Sequence, residues 1–152
     1  MEILITFLIS MLPFSELRGS IPIAITVYEL SPFSAFFVSV LGNFLAALLI
    51  LLILPLIVDY LMAKSKLLNN FFTWLFTRTR SRTIDHYLKY GYWALVIFVA
   101  IPLPVTGVWT GAIAAYIFNI PFKKSWWLIL LGIIMAGLIV TFATLGIINL
   151  FI

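Results

Sequence analysis

Glu16 and Arg18 are the residues of this chain whose types and spacing best suit chemistry. They stand in PFSELRGSIP, residues 13–22, a polar break between two strongly apolar segments. A carboxylate can carry a proton or hold a cation, and a guanidinium can hold a carboxylate or phosphate through paired N–H bonds. A charge at the centre of a bilayer costs roughly 2.5–3.5 kcal/mol even on the lenient insertion scale, so pairing or a water-filled cavity is expected. A spacing of two does not place both charges on one helix face. They therefore reach different partners, or meet because the chain there is not helical. Ser15 is placed to cap a helix starting at Glu16, whose charge suits the positive end of that helix. In the plainer reading Glu16 is only a helix-terminal charge, and Arg18 is its counterion or a snorkelling residue. In the functional reading Glu16 is a candidate proton carrier, because burial favours the protonated carboxyl. Arg18 and nearby helix N-termini then form a site for an anionic headgroup.

The composition says where such a site must lie. The 152 residues are 64% hydrophobic and 9% charged, against about 25% charged in soluble domains. The chain reads as an integral membrane protein. It has no cysteine and one histidine, which excludes disulfides, thiolate metal sites and multi-histidine zinc sites. No motif points to a nucleotide, haem or nucleic acid, and no nucleophile–base pair points to an enzyme. No metal or cofactor is expected. The net charge of +4 bears on topology and lipid headgroups. The N-terminus lacks a basic leader and a small-residue cleavage pattern, so the first helix is expected to be retained.

The elements that must position the site follow from hydropathy. Residues 3–12 are ten apolar residues, about 15 Å of helix against a hydrocarbon core near 30 Å. Residues 21–28 are again short, whereas 34–58 are long enough to span, with Pro55 placed to kink the end. Residues 59–90 carry apolar side chains at 61, 68, 71, 72, 75 and 76 between polar ones, the pattern of an amphipathic helix lying on the membrane surface. Two short segments, 92–101 and 108–118, and a long one, 125–151, complete the chain. A shift of 89 residues lays Pro13 on Pro102 and Pro32-Phe33 on Pro121-Phe122. This is an internal repeat with Gly/Pro-interrupted segments at matching places.

The expected fold is an all-α integral membrane protein forming a single membrane domain, 1–152. It has two inverted repeats, each a re-entrant helical hairpin plus one long transmembrane helix. An amphipathic cytoplasmic linker helix joins them. Repeat one is 1–58, the linker 59–90 and repeat two 91–152. The alternative is six full spans, which the ten-residue segments disfavour. Each repeat crosses an odd number of times in either case, hence the inversion. Lys64, Lys66, Arg78, Arg80, Arg82 and Lys89 place the linker in the cytoplasm. Lys123 and Lys124 follow, both termini fall outside, and Arg18 is the one basic residue left out of the pattern.

Pro13, Pro22, Pro102 and Pro104 keep the two tips from closing into continuous helix. Thr106 and Gly107 begin the second arm, and Gly107, Gly111 and Ala115 form a small-residue stripe suited to close helix packing. Asn43 is an interhelical hydrogen-bonding group or a cavity residue. Trp109 is a wall for an apolar substrate or part of the core. Trp126 and Trp127 read as interface anchors. Asp59 reads as exposed, and Asp85 and His86 as solvated linker residues. The candidate substrate- or proton-binding set is Ser15, Glu16, Arg18, Gly19, Pro22, Asn43, Pro102, Pro104, Thr106, Gly107 and Trp109.

PFSELRGSIPIAI and PLPVTGVWTGAIAA resemble the two signature stretches of the small multidrug export proteins, a family that resembles in turn the broader DedA/VTT membrane group. The resemblance covers nearly the whole chain. It implies paired re-entrant hairpins in inverted repeats, with acidic and basic tip residues at Glu16 and Arg18 and a Pro/Gly tip at Pro102, Pro104 and Gly107. Val105 stands where the family pattern often has glycine. The DedA arrangement of an acidic tip facing arginines in another tip is not reproduced. The resemblance also implies transport linked to the proton-motive force, of drugs by the family's name or of polyprenyl-phosphate lipids by the wider group.

The function expected is a transporter or lipid translocase of the cytoplasmic membrane, proton-coupled, with an anionic substrate such as a polyprenyl phosphate. A proton-coupled exporter of amphiphilic cations and a non-transporting membrane scaffold are the alternatives. The expected partners are membrane lipids, a small amphiphilic or lipid-phosphate substrate, protons and a second copy of the chain in a dimer, with no nucleic acid.

Overall fold

The computed structural model describes the backbone of residues 1–102 and 107–151, and the side chains of these except 82–89 and 151. Pro104 and Thr106 therefore lie outside the described residues, as do the side chains of Arg82, Asp85, His86 and Lys89.

Proline placement explains where the short helices stop. α1 (Glu2–Met11) ends at Leu12, which is extended at φ −73°, ψ 139° because Pro13 follows and disfavours the helical region for the residue before it. α2 (Glu16–Thr26) returns after the turn. α3 (Pro32–Lys64) opens with proline in its first turn, and Ser31 Oγ accepts the Ser34 N–H at 3.2 Å as its cap. A break at Ser65 leads to α4 (Lys66–Tyr90). α5 (Trp93–Ala100) ends at Ile101, extended at φ −78°, ψ 114° before Pro102, the counterpart of Leu12 before Pro13. α6 (Val108–Ile117) and α7 (Phe122–Phe151) complete the chain. The order short, short, long thus occurs twice around α4.

The packing repeats as well. α1 and α2 pack on each other and on α3, while α5 and α6 pack on each other and on α7. Each short second helix also packs on the other half's long helix, α2 on α7 and α6 on α3. A Cβ on Gly42 of α3 would meet Ser10 Oγ at 2.0 Å and the Phe7 carbonyl at 2.5 Å. A Cβ on Gly132 of α7 would meet Val99 Cβ at 2.7 Å and the Val96 carbonyl at 3.0 Å. Phe7 and Ser10 become Val96 and Val99 on shifting by 89. In both halves a glycine on the long helix lets the first short helix approach closely.

Along α3 side-chain size is arranged inside out relative to a soluble protein. Phe33, Phe37, Leu41, Leu45, Leu49, Leu52 and Leu56 form an exposed stripe along α3, while Ala35, Ser39, Gly42, Asn43, Ala46 and Ala47 face inward. In lipid, large apolar groups outside cost nothing, and small groups inside let helices pack closely. α3 and α7 are 33 and 30 residues long, about 50 and 45 Å, and both exceed a hydrocarbon core near 30 Å. α1, α2, α5 and α6 have 8 to 11 residues each, about 12–17 Å.

Three local expectations change. The first long helix runs to Lys64, beyond the expected end at 58, so the linker helix begins at Lys66. Pro55 lies within continuous helix. Pro22 is the seventh residue of α2 and lies within continuous helix, so it does not break the first tip as expected. Having no N–H, it leaves the Arg18 carbonyl one turn earlier without its helical donor. α4 is helical as expected and is fastened to α6: the Phe76 and Tyr116 rings stand 5.5 Å apart, and Arg80 Nε donates to the Ile117 carbonyl.

Candidate functional site

The turn between α1 and α2 aims Glu16 inward. Glu16 has a φ of +44°, unusual for a residue with a side chain. This departure from helical geometry lets it meet Arg18 two residues on: Arg18 Nη2 stands 3.9 Å from Glu16 Oε2. Glu16 is buried, and the Arg18 side chain is about a quarter exposed.

The Ser15 side chain does not cap α2, contrary to the expectation. Its Oγ donates instead to the Ile9 carbonyl at 2.5 Å, satisfying one of the last acceptors of α1 and closing the turn. Gly19 follows from the same closeness, since a Cβ there would lie 2.7 Å from Ser15 Cβ.

The two tips meet. The backbone N–H groups of Val108 and Trp109, in the first turn of α6, donate to the Glu16 carboxylate. A carboxylate from the first half thus caps a helix of the second. Gly107 is required by space: a Cβ there would lie 2.1 Å from Glu16 Oε2. The contact is reciprocated, because Trp109 Nε1 donates to the Met11 carbonyl at the end of α1, at 3.1 Å. Each tip thereby satisfies a helix end of the other.

Glu16, Arg18, Asn43, Pro102 and Gly107 line one pocket, with Leu17, Val99, Ile101, Val108, Ile133 and Ala136 as its walls. Its room for water is about 10 Å³, close to the need of a single molecule. Asn43 is buried, and its Oδ1 has no hydrogen-bond partner among the described residues. Trp109 stands beside the pocket, tied to α1, and Pro22 lies a turn and a half along α2. Gly111 packs against Val99, so the Gly107–Gly111–Ala115 stripe serves packing inside the chain.

Sequence reading passed over three buried hydroxyls near this pocket, Thr6, Ser20 and Ser39. Their signal was spacing: each lies four residues from Ser10, Glu16 or Asn43 on the same helix face. It also passed over Arg80 as the anchor of α4 on α6. Among the described residues no cluster of His, Asp or Glu could hold a metal ion.

A family model described as "Putative small multi-drug export protein" matches residues 16–139. No curated protein matches the chain, and no solved structure does.

Proposed function

The chain belongs to the small multi-drug export protein family, and from that premise we propose that it moves an anionic amphiphile, such as a lipid phosphate, across the membrane together with a proton on Glu16. Family membership and two long apolar helices support a role in membrane transport. The observation that carries the finer reading is the Glu16 carboxylate lying on the Val108 and Trp109 N–H groups beside Arg18. This is an anion cradle whose present occupant is a side chain. While Glu16 is ionised, it holds the cradle against other anions. Once protonated, it no longer neutralises Arg18 or the α6 N-terminus, and both are left to a phosphate or carboxylate headgroup. Proton and substrate are linked because one group of donors serves both charges. The pocket has room for about one water, so a headgroup enters only as the Glu16 side chain swings aside.

The orientation adopted for this reading is the one charge suggests: α4 cytoplasmic, both termini outside, each pair of short helices a re-entrant hairpin, and the two repeats inverted. Helices of 8 to 11 residues reach about half of a hydrocarbon core near 30 Å, which supports hairpins over full spans. A dimer supplies the bulk that two long helices and two hairpins lack.

The test is uptake into proteoliposomes across a pH gradient, with a short-chain isoprenyl phosphate as one probe and a lipophilic cation as the other. Glu16→Gln is expected to keep phosphate binding and lose dependence on the gradient, while Arg18→Ala loses phosphate uptake by about tenfold or more. Cation uptake lost in Glu16→Gln and kept in Arg18→Ala would favour the cation exporter. Unchanged transport in both variants would sink the site.

A further inference from the structure

Thr6, Ser20 and Ser39 are fully buried, and their hydroxyl oxygens have no hydrogen-bond partner among the described residues. Buried hydroxyls on helices normally donate to a carbonyl one turn back. Thr141, Thr144 and Ser10 do this here, at 2.7 to 2.8 Å. Thr6, Ser20 and Ser39 do not. A buried polar group without a partner is costly and is usually satisfied by internal water.

The three come from three mutually packed helices and stand at one depth. α2 leaves the tip at Glu16 and runs eleven residues back, and α3 returns over the twelve residues Pro32–Asn43. Asn43 is thereby level with Glu16, and both line the pocket. Ser10 lies against Gly42 and so shares that level. One turn outward from each, about 6 Å, the chain places Thr6, Ser20 and Ser39. One turn further out on the Thr6 face is Glu2, which is exposed, while Ala24 and Ala35, the smallest available side chains, stand at that level on α2 and α3.

Among the described residues the second half has no unpartnered buried hydroxyl, since Ser125 and Thr144 both donate to carbonyls of their own helix region. The positions 89 residues on from Thr6, Ser20, Ser39 and Asn43 are Leu95, Trp109, Leu128 and Gly132. Leu95 and Leu128 belong to the apolar core.

We propose that Thr6, Ser20 and Ser39 hold an internal water site that, with Asn43, forms a one-sided proton path from the Glu2 end of repeat one to Glu16. The proposal rests on the reading of Glu16 as the proton carrier. A proton from bulk water adds to one oxygen of the chain as another leaves the next. Each O–H bond made is matched by one broken, and the last proton ends on a Glu16 carboxylate oxygen. The charged groups facing Glu16 are Arg18 on its own helix and the N–H groups at the start of α6. Among the described residues α1, α3, α5 and α7 contribute no charged side chain to the pocket. The path enters from one half only because the other is packed with Leu95 and Leu128. In this conformation the single carboxylate thus exchanges protons with one face of the membrane.

The test compares wild type with Thr6→Val/Ser20→Ala/Ser39→Ala, reconstituted in lipid. The infrared carbonyl stretch of protonated Glu16 is identified by its loss in Glu16→Gln. Its deuterium shift on transfer to D2O is expected at least about tenfold more slowly in the triple variant, whose melting temperature is equal to or below that of wild type. Equal exchange rates, or a higher melting temperature in the triple variant, would mean that the hydroxyls are dry and would overturn the proposal. Ser39→Ala alone, the smallest change in volume, moves both readouts in the same direction by less and serves if the triple variant does not fold. Should no band depend on Glu16, the proton step of the transport reading fails. The water site then stands or falls on the melting comparison.

Discussion

Gly107 and Glu16 show how tightly two residues 91 positions apart are matched. The carboxylate lies where any Cβ at 107 would be, 2.1 Å from Oε2. Gly107→Ala is therefore expected to push Glu16 off the Val108 and Trp109 N–H groups and to cost about 1–3 kcal/mol, measured by thermal melting in detergent. Removing the carboxylate first, in Glu16→Ala, should make the same change nearly free. A double-mutant cycle reads that coupling directly. Additive costs would mean that the two residues do not share the space. Sequence reading reached both residues but assigned them to separate arms, and took the α6 N–H groups to be open to substrate. It could not show that one tip's carboxylate already occupies the other tip's helix end, because that contact depends on how two distant segments dock.

The helices themselves were more legible. Leu12 and Ile101 stop α1 and α5 because proline follows each, a local steric rule that needs no tertiary information. The repeat was legible from Pro13 and Pro102, and its packing counterpart appears in Gly42 and Gly132. The contact at Gly132 makes the second prediction. Gly132→Ala sets a Cβ 2.7 Å from Val99 Cβ and should separate α5 from α7, costing about 1–3 kcal/mol. Val99→Ala should recover about half of that loss or more when combined with it. Failure of the second change to rescue the first would place the strain on the Val96 carbonyl, 3.0 Å away. The end of α3 was not legible, since Asp59 and Tyr60 suggest an interface to a hydropathy reading while the helix continues to Lys64. Hydropathy reports where lipid ends, and backbone hydrogen bonding does not stop there.

At the scale of the whole molecule the contrast is hairpins against full spans, and Phe14 is the residue at which it is tested. It is a fully apolar side chain at the first tip and 94% exposed, which suits a tip surrounded by lipid better than a cytoplasmic loop. The chain has no cysteine, so single cysteines report without background. Glu29→Cys should react with a membrane-impermeant maleimide only from outside, and Ser65→Cys only from the cytoplasm. Phe14→Cys should react slowly from both. Labelling of Phe14→Cys as fast as Ser65→Cys from the cytoplasm would establish six spans instead. By itself, the sequence determined membrane residence, the doubled order of short and long helices, and the identity of Glu16 and Arg18 as the charges of interest. Composition, proline sterics and hydropathy are properties of residues and their near neighbours. Only the tertiary structure decided that Glu16 caps α6, that Trp109 caps α1 in return, and that the unpartnered buried hydroxyls among the described residues all lie in the first half. Those outcomes turn on which orphaned donors and acceptors come within a hydrogen bond's length when two remote tips pack, and nothing local to either tip carries that information.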